Sequence, residues 1–402
     1  MLDVCLLGTG GMMPLPGRWL TSLLLRYNGK LFLIDCGEGT QIPLKLAGWG
    51  FKAVDAIFFT HYHADHIAGL PGLLLTIGNS GKDTPLDLIG PPGLLWIAGS
   101  LLTICPALPY DIRVVELPCG TAANGANKTA TGVNAAAGAN KTAIIAAAGT
   151  ADTGGAAATA AADTTEATAD KSEATAAAVA AAAADTAEST ATAAAAAADT
   201  AEFTAASDAD SGSIDLAPHC DIELYGKLSF QYAPCEHNIP CYAYSFSIQR
   251  QGVFHPQKAK ELDIPLQLWK KLQIGETVIL PGGRKIEPDM VLGPARRGVK
   301  LSYCTDSRPT KALRRLFKNS DLLICEGMYG DDAERDNARE KKHMLFSEAA
   351  MLARDAGASE LWLTHYSPSL QNPSEHIGAA RRYFENTYPG RDLLSTTLKF
   401  KD

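Results

Sequence analysis

Short apolar runs that stop at a polar, chemically capable residue recur along this 402-residue chain. Val54-Asp55-Ala56-Ile57-Phe58-Phe59 reads as a buried strand, and it runs straight into Thr60-His61-Tyr62-His63-Ala64-Asp65-His66. A helical-looking segment, Ile67 through Ile77, follows. The same construction returns three times: Leu228–Ala233 leads to Glu236-His237, Val299–Thr305 ends at Asp306, and Glu360–Thr364 ends at His365. Side chains on strand ends hold their geometry better than side chains on free loops, so these four places are candidates for one site. Leu7-Gly8-Thr9-Gly10-Gly11 also follows a strand-like run, but Met12-Met13-Pro14-Leu15-Pro16 cannot open the helix that a pyrophosphate needs. A loop on the rim of the fold is the better reading.

Between a strand-like run ending near Leu117 and another starting near Ile222 the pattern fails. From about Gly120 to Gly212 the chain is almost entirely Ala, Thr, Gly, Asp and Glu, and Gly-Ala-Asn-Lys-Thr-Ala occurs at 125–130 and again at 138–143. With almost nothing large and apolar to bury, this stretch cannot offset the entropy of ordering itself; it is expected to be disordered, or at most transiently helical. The organisation predicted is therefore one domain in two parts, 1–119 and 213–402, split by a low-complexity insert over 120–212. Roughly 310 residues outside the insert suffice for one α/β core.

The insert also changes the meaning of the charge. The net charge of −8 would argue against a nucleic-acid partner, yet the insert alone holds three lysines against eleven acidic residues, leaving 33 of each sign elsewhere. Basic residues gather at Arg284-Lys285, Arg296-Arg297 with Lys300, Arg308 to Lys318, and Arg335 to His343. Several of these flank the candidate site in sequence; a solvated face is expected for Arg335 to Lys342, and Arg308, directly after the Asp306 loop, is the candidate phosphate contact. Nine cysteines without a Cys-x-x-Cys pair argue against a disulfide framework and for a reducing compartment. No apolar run approaches a membrane span and the N-terminus lacks a signal-like positive region, so a cytoplasmic location without membrane contact is expected.

Three imidazoles and a carboxylate within six residues are hard to explain without metal. His61 and His63, at i and i+2 of an extended segment, can point to one side as ligands of one ion must, and Asp65 and His66 can turn toward a neighbouring position. Imidazole with carboxylate suits Zn or Mn. Taken singly, Asp306 could cap a turn and His237 or His365 could be core histidines. Their shared placement at strand ends favours a two-ion centre with six or seven protein ligands.

Together, His61-x-His63-x-Asp65-His66 with His237, Asp306 and His365 resembles the metallo-β-lactamase fold, an αβ/βα sandwich of two mixed β-sheets flanked by helices. Asp35-Cys36-Gly37-Glu38-Gly39-Thr40-Gln41, Gly69-Leu70-Pro71-Gly72-Leu73-Leu74 and Thr305-Asp306-Ser307-Arg308-Pro309 narrow the likeness to ribonuclease Z, the endonuclease that trims tRNA precursors at the 3′ end. The likeness runs from Leu2 to about Arg113 and from about Ile222 onward. It implies two divalent ions, zinc before others, with His61, His63 and His237 on one, Asp65, His66 and His365 on the other, and Asp306 between them. Asp65 becomes the candidate general base, His343 the candidate proton donor or phosphate holder, and Asp35 the residue that orients a ligand histidine. The implied partner is a tRNA precursor, and the implied assembly a homodimer.

Three segments depart from the family pattern. His343-Met344-Leu345 keeps only the histidine of a usual His-Ser-Thr, Glu326-Gly327-Met328-Tyr329 replaces Glu-Ala-Thr-Phe, and the arm-like stretch lacks a Gly-Pro pair at Ile264–Trp269. A hydrolase of another ester, such as a small phosphodiester, is the alternative function. A non-catalytic RNA-binding member would be expected to have lost ligands.

Overall fold

In the computed structural model, residues 1–105, 107–118 and 228–401 are described, with 141–145 and 222–225 described as strands only. The rest of the predicted insert lies outside the described residues. The strands are β1 (Leu2–Gly8), β2 (Ser22–Tyr27), β3 (Lys30–Ile34), β4 (Val54–Phe58), β5 (Leu86–Gly90), β6 (Ile112–Glu116), β7 (Lys141–Ile145), β8 (Ile222–Tyr225), β9 (Leu228–Pro234) and β10 (Tyr242–Arg250). They continue with β11 (Val278–Ile279), β12 (Lys285–Ile286), β13 (Arg296–Cys304), β14 (Leu322–Glu326), β15 (Leu361–Thr364), β16 (Thr387–Pro389) and β17 (Ser395–Leu398). Among the helices, α1 (Gln41–Ala47), α2 (Ala64–Ile67), α3 (Leu70–Asn79) and α4 (Leu94–Leu102) belong to the first half. The second half adds α5 (Pro256–Glu261), α6 (Leu266–Gln273), α7 (Lys311–Leu316), α8 (Arg335–Glu340), α9 (Phe346–Ala356) and α10 (Pro373–Arg381).

Two large sheets form, in the orders β17-β1-β2-β3-β4-β5-β6-β7 and β16-β15-β14-β13-β10-β9-β8, and β11 and β12 make a separate pair. Both are mixed: β3 to β6 pair in parallel, as do β13 to β16, while the remaining neighbours are antiparallel. The central strands β2, β3, β14 and β15 read as nearly continuous apolar runs because both faces of each sheet are covered there. Leu23, Leu25, Phe32, Ile34 and Phe58 meet Phe230, Tyr244, Phe246, Leu301 and Tyr303 between the sheets. The alternate residues Leu24, Leu31, Leu33 and Ile57 pack outward with α3 and α4, and Leu323, Cys325, Leu361 and Leu363 pack outward with α7 and α9. At the centre, Phe58 makes edge-to-face contacts with Phe230, Tyr244 and Phe246 at centroid distances of 5.0, 5.5 and 5.2 Å.

Two details differ from the sequence reading. The segment expected as one helix from Ile67 to Ile77 breaks at Ala68-Gly69 into α2 and α3. Gly69 lies so close to the loop after β3 that a Cβ would sit 1.9 Å from the Gly37 carbonyl oxygen; its N–H donates to Cys36 O at 3.0 Å, and Cys36 N–H donates to His66 O at 2.7 Å. The break is thus where the Asp35 loop is pinned beside His66. Inside the low-complexity stretch, Lys141-Thr142-Ala143-Ile144-Ile145 pairs antiparallel with β6. These five residues include three β-branched ones, which favour extended backbone over the helix or disorder expected there. The stretch from Phe254 to Leu292 builds a small satellite around Ala259, Ile264, Leu272, Val278 and Ile286.

Candidate metal centre

The strands β4, β9, β13, β14 and β15 end at the same rim of the sandwich, so His61, His237, Asp306, Glu326 and His365 arrive together from distant parts of the chain. His61 Nε2 lies 3.0 Å from His63 Nδ1, and His237 Nε2 lies 3.4 Å from that same atom. On the other side, His66 Nε2 and His365 Nε2 are 3.2 Å apart, with Asp65 Oδ2 at 3.5 and 3.7 Å from them. Asp306 stands between the groups. Its Oδ1 is 3.8 Å from both His61 Nε2 and His237 Nε2, and its Oδ2 is 3.2 Å from His66 Nε2 and 3.3 Å from His365 Nε2. All seven residues singled out from the sequence as ligands are thereby placed around two adjoining positions.

Holding them there strains the backbone. Asp35, Asp306 and His365 have φ of 61°, 48° and 56°, in the left-handed region where non-glycine residues are uncommon. Such strain costs about 1–3 kcal/mol per residue and concentrates at functional sites. Asp35 follows β3 directly. Its Oδ1 accepts from Thr60 N–H at 2.8 Å; its Oδ2 accepts from the Thr60 hydroxyl at 2.8 Å and lies 2.9 Å from His66 Nδ1.

This network settles which ring nitrogens face inward. The Thr60 hydroxyl gives its proton to Asp35, so its oxygen, 3.0 Å from His61 Nδ1, accepts from that nitrogen. His61 then carries Nδ1–H and turns a bare Nε2 toward Asp306, while His66 gives its Nδ1–H to Asp35 Oδ2. Lone pairs facing a buried carboxylate repel it, and Asp306 Oδ2 has no hydrogen-bond partner. Cations answer both problems. Ligands about 2.0–2.1 Å from a tetrahedral ion stand roughly 3.3–3.4 Å apart, close to the nitrogen spacings here. The donor set therefore fits divalent metal.

The electrostatics agree. Burial holds His61 well below the ordinary imidazole value, and lowers His63 and His237 as well, keeping them in the neutral form that ligates. Burial also works against charge on His66 and His365. There the carboxylates outweigh it: Asp306 and Asp35 hold His66 well above its usual value, and Asp306 with Asp65 holds His365 at about 10. Burial disfavours the charged forms of Asp65 and Asp306 in turn, yet the surrounding histidines keep both below the usual carboxylate range.

Around this cluster stand residues that sequence reasoning did not single out. Glu326, fully buried, lies 2.9 Å from His343 Nδ1 through Oε2, and its Oε1 accepts the Ser307 N–H. Glu326 ends the apolar run Leu322–Cys325 as the ligands end theirs, which was the available signal. The loop after β1 closes the other side. Met12 N–H donates to Asp65 Oδ2 at 2.7 Å, and a Cβ on Gly11 would stand 2.9 Å from His365 Nε2. His343 Nδ1 lies 3.8 Å from Asp306 Oδ1. Arg308 is employed differently from the expected phosphate contact, its guanidinium being taken up by the Glu348 carboxylate and the His343 carbonyl.

Ribonuclease Z of Lachnospira eligens is 40% identical to this chain over 402 residues, covering 100% of the chain and 99% of that protein. Ribonuclease Z of Clostridium kluyveri is 39% identical, with 100% of each covered. The chain belongs to the ribonuclease Z family. The family likeness read from the motifs is borne out over the whole length. Residues 2–95 also match the family described as Anti-Pycsar protein Apyc1. Among solved structures, the short form of human tRNase Z superposes with a TM-score of 0.53 at 18% identity, covering 99% of this chain and 100% of that one. A metallo-β-lactamase fold protein from Bacillus subtilis gives 0.53 at 14% identity, with 98% of each chain covered. The expected metallo-β-lactamase sandwich is the fold of this ribonuclease Z family member. No helix among its described residues is long and apolar enough to cross a membrane.

Proposed function

We propose that the chain is a metal-dependent endoribonuclease that hydrolyses tRNA precursors at the 3′ end, and that the rim cluster is its active site. The observation that carries this is the pairing of a two-position ligand cluster with His343, beside a family relationship that spans the chain. His61, His63 and His237 would hold one divalent ion, Asp65, His66 and His365 the other, with Asp306 shared. The imidazole-rich set favours zinc. Such ions, when bound, lower the pKa of water and neutralise charge on a phosphodiester in its transition state.

The chain's own groups supply the proton traffic. The water oxygen bonds to phosphorus while the bond from phosphorus to the 3′ oxygen breaks, its electron pair remaining on that oxygen. Asp65, held ionised, takes the proton from water. His343 gives a proton to the departing 3′ oxygen. Burial opposes charge on His343, but the Glu326 carboxylate outweighs it and raises its pKa. With Nδ1 turned to Glu326 Oε2, Nε2 is the position left to donate. Asp35 keeps the His66 ring in register and does not touch substrate.

The reading extends to a cytoplasmic homodimer. Seven cysteines among the described residues are free, and outward faces of α1 and α4 expose Ile42, Leu46 and Trp96, the last at 76%. Ile42 and Leu46, four residues apart on α1, lie on one face of that helix and supply apolar surface for such an interface. Sedimentation would give the monomer mass if this is mistaken.

The function is tested by incubating zinc-loaded protein with a tRNA precursor carrying a 3′ trailer and with bis(p-nitrophenyl) phosphate. Release of the trailer with a free 3′ hydroxyl is expected. Cleavage of the small ester alone would sink the tRNA assignment in favour of a small-phosphodiester hydrolase.

A further inference from the structure

Arg308 reaches two loops of the site and the first turn of α9 without touching any of the seven candidate ligands. Its N–H donates to Glu236 O at 3.2 Å, next to His237. One guanidinium nitrogen, Nη1, donates to Glu348 Oε2 at 2.8 Å and to the His343 carbonyl, and Nη2 donates to Glu348 Oε1. Glu348 closes the arrangement from the far side, its Oε2 accepting Leu345 N–H at 3.0 Å. The turn carrying His343 is therefore gripped at the carbonyl of residue 343 by the arginine and at the amide of residue 345 by the glutamate. Both side chains are nearly enclosed, 13% and 11% exposed, so neither is an ordinary surface partner. The turn needs such a grip: Lys342, just before it, has φ of 57°. Glu348 sits in the first turn of α9, whose inner face is buried in the core, so the grip is anchored on a rigid element.

We propose that Arg308 and Glu348 are positioning residues for the hydrolytic reaction, fixing the backbone of His343 so that its imidazole can deliver a proton to the leaving oxygen. The inference rests on the activity proposed above. A planar, two-pronged contact fixes orientation as well as distance, which a point charge cannot do. Misplacing a catalytic group by about 1 Å can cost on the order of a hundredfold in rate. The expected defect is confined to reactions that need His343.

Leaving groups separate this from a merely structural role. A 3′ alkoxide must be protonated as it departs, whereas p-nitrophenolate leaves without a proton. Arg308→Lys and Glu348→Gln, with His343→Ala as reference, would be assayed on both substrates, alongside zinc content and melting temperature. We expect kcat on the tRNA precursor to fall about 10–100-fold with KM changed by no more than about twofold. For Arg308→Lys and Glu348→Gln the rate on bis(p-nitrophenyl) phosphate and the zinc content should stay within about twofold of the parent. The exchanged pair Arg308→Glu with Glu348→Arg should recover part of the loss. Equal falls on both substrates, loss of zinc, or an undiminished kcat on the precursor would each overturn the proposal. A parent protein that leaves the precursor intact would instead overturn the substrate assignment, and the same comparison then runs on a phosphodiester with an alkyl leaving group.

Discussion

Asp35 spends both carboxylate oxygens on the site, holding Thr60 through Oδ1 and Oδ2 and the His66 ring through Oδ2. Asp35→Asn isolates that role, because asparagine tolerates the left-handed backbone at this position and keeps one acceptor. Zinc affinity should fall about 10–100-fold, read by competition with a chromophoric chelator. An unchanged affinity would remove Asp35 from the account. Protons and metal compete for the same carboxylates. His66 and His365 are held protonated by Asp306 and its neighbours, His365 to about 10, so an ion must displace those protons to reach Nε2. Zinc binding should therefore release protons and strengthen as pH rises from 6 to 8, which calorimetry in buffers of different ionisation enthalpy measures directly. The candidate ligands were legible in the sequence because the four segments that carry them follow apolar runs, so strand ends and chain order suffice to group them. Arg308 was not, since what its guanidinium faces depends on Glu348, forty residues further along.

Among the elements, β4 carries the most consequence for its length, delivering His61 at one end and Phe58 to the middle of the core. Phe58 meets three aromatic rings of the opposite sheet, so Phe58→Ala should cost about 3–5 kcal/mol in urea unfolding with little change in slope. A loss below about 1 kcal/mol would mean the sheets are not locked at this point. The strand was legible because, Asp55 apart, it is apolar throughout. The break between α2 and α3 was not, although Gly69 and Pro71 stood in the sequence, because a tolerated glycine and a helix-ending one look alike until the loop at Gly37 is seen pressing on it.

For the whole molecule, the segment from Gly120 to Gly212 poses an electrostatic question rather than a packing one. It carries the entire net charge of −8, while the remaining residues balance at 33 of each sign. An RNA substrate is a polyanion, and like charge on a tethered segment slows its approach without touching the reacting atoms. Where the segment leaves the first half is known: Leu117 O and Pro118 O accept from the hydroxyls of Tyr242 and Tyr232 at 3.4 and 3.3 Å, placing the end of β6 beside β10 and β9. The strand that resumes the second half, β8, pairs with β9 at that same edge. Replacing residues 150–214 with a Gly-Ser linker keeps both β7 and β8. KM for a tRNA precursor should then drop severalfold at about 0.05 M salt and converge on the parent value toward about 0.5 M, where the Debye length shrinks to a few ångströms. The kcat and the rate on bis(p-nitrophenyl) phosphate should not move, because the seven candidate ligands and His343 all lie outside the replaced residues. A kcat that fell with the deletion would show the segment acting on the site itself, and a KM indifferent to salt in both proteins would show that its charge never reaches the substrate.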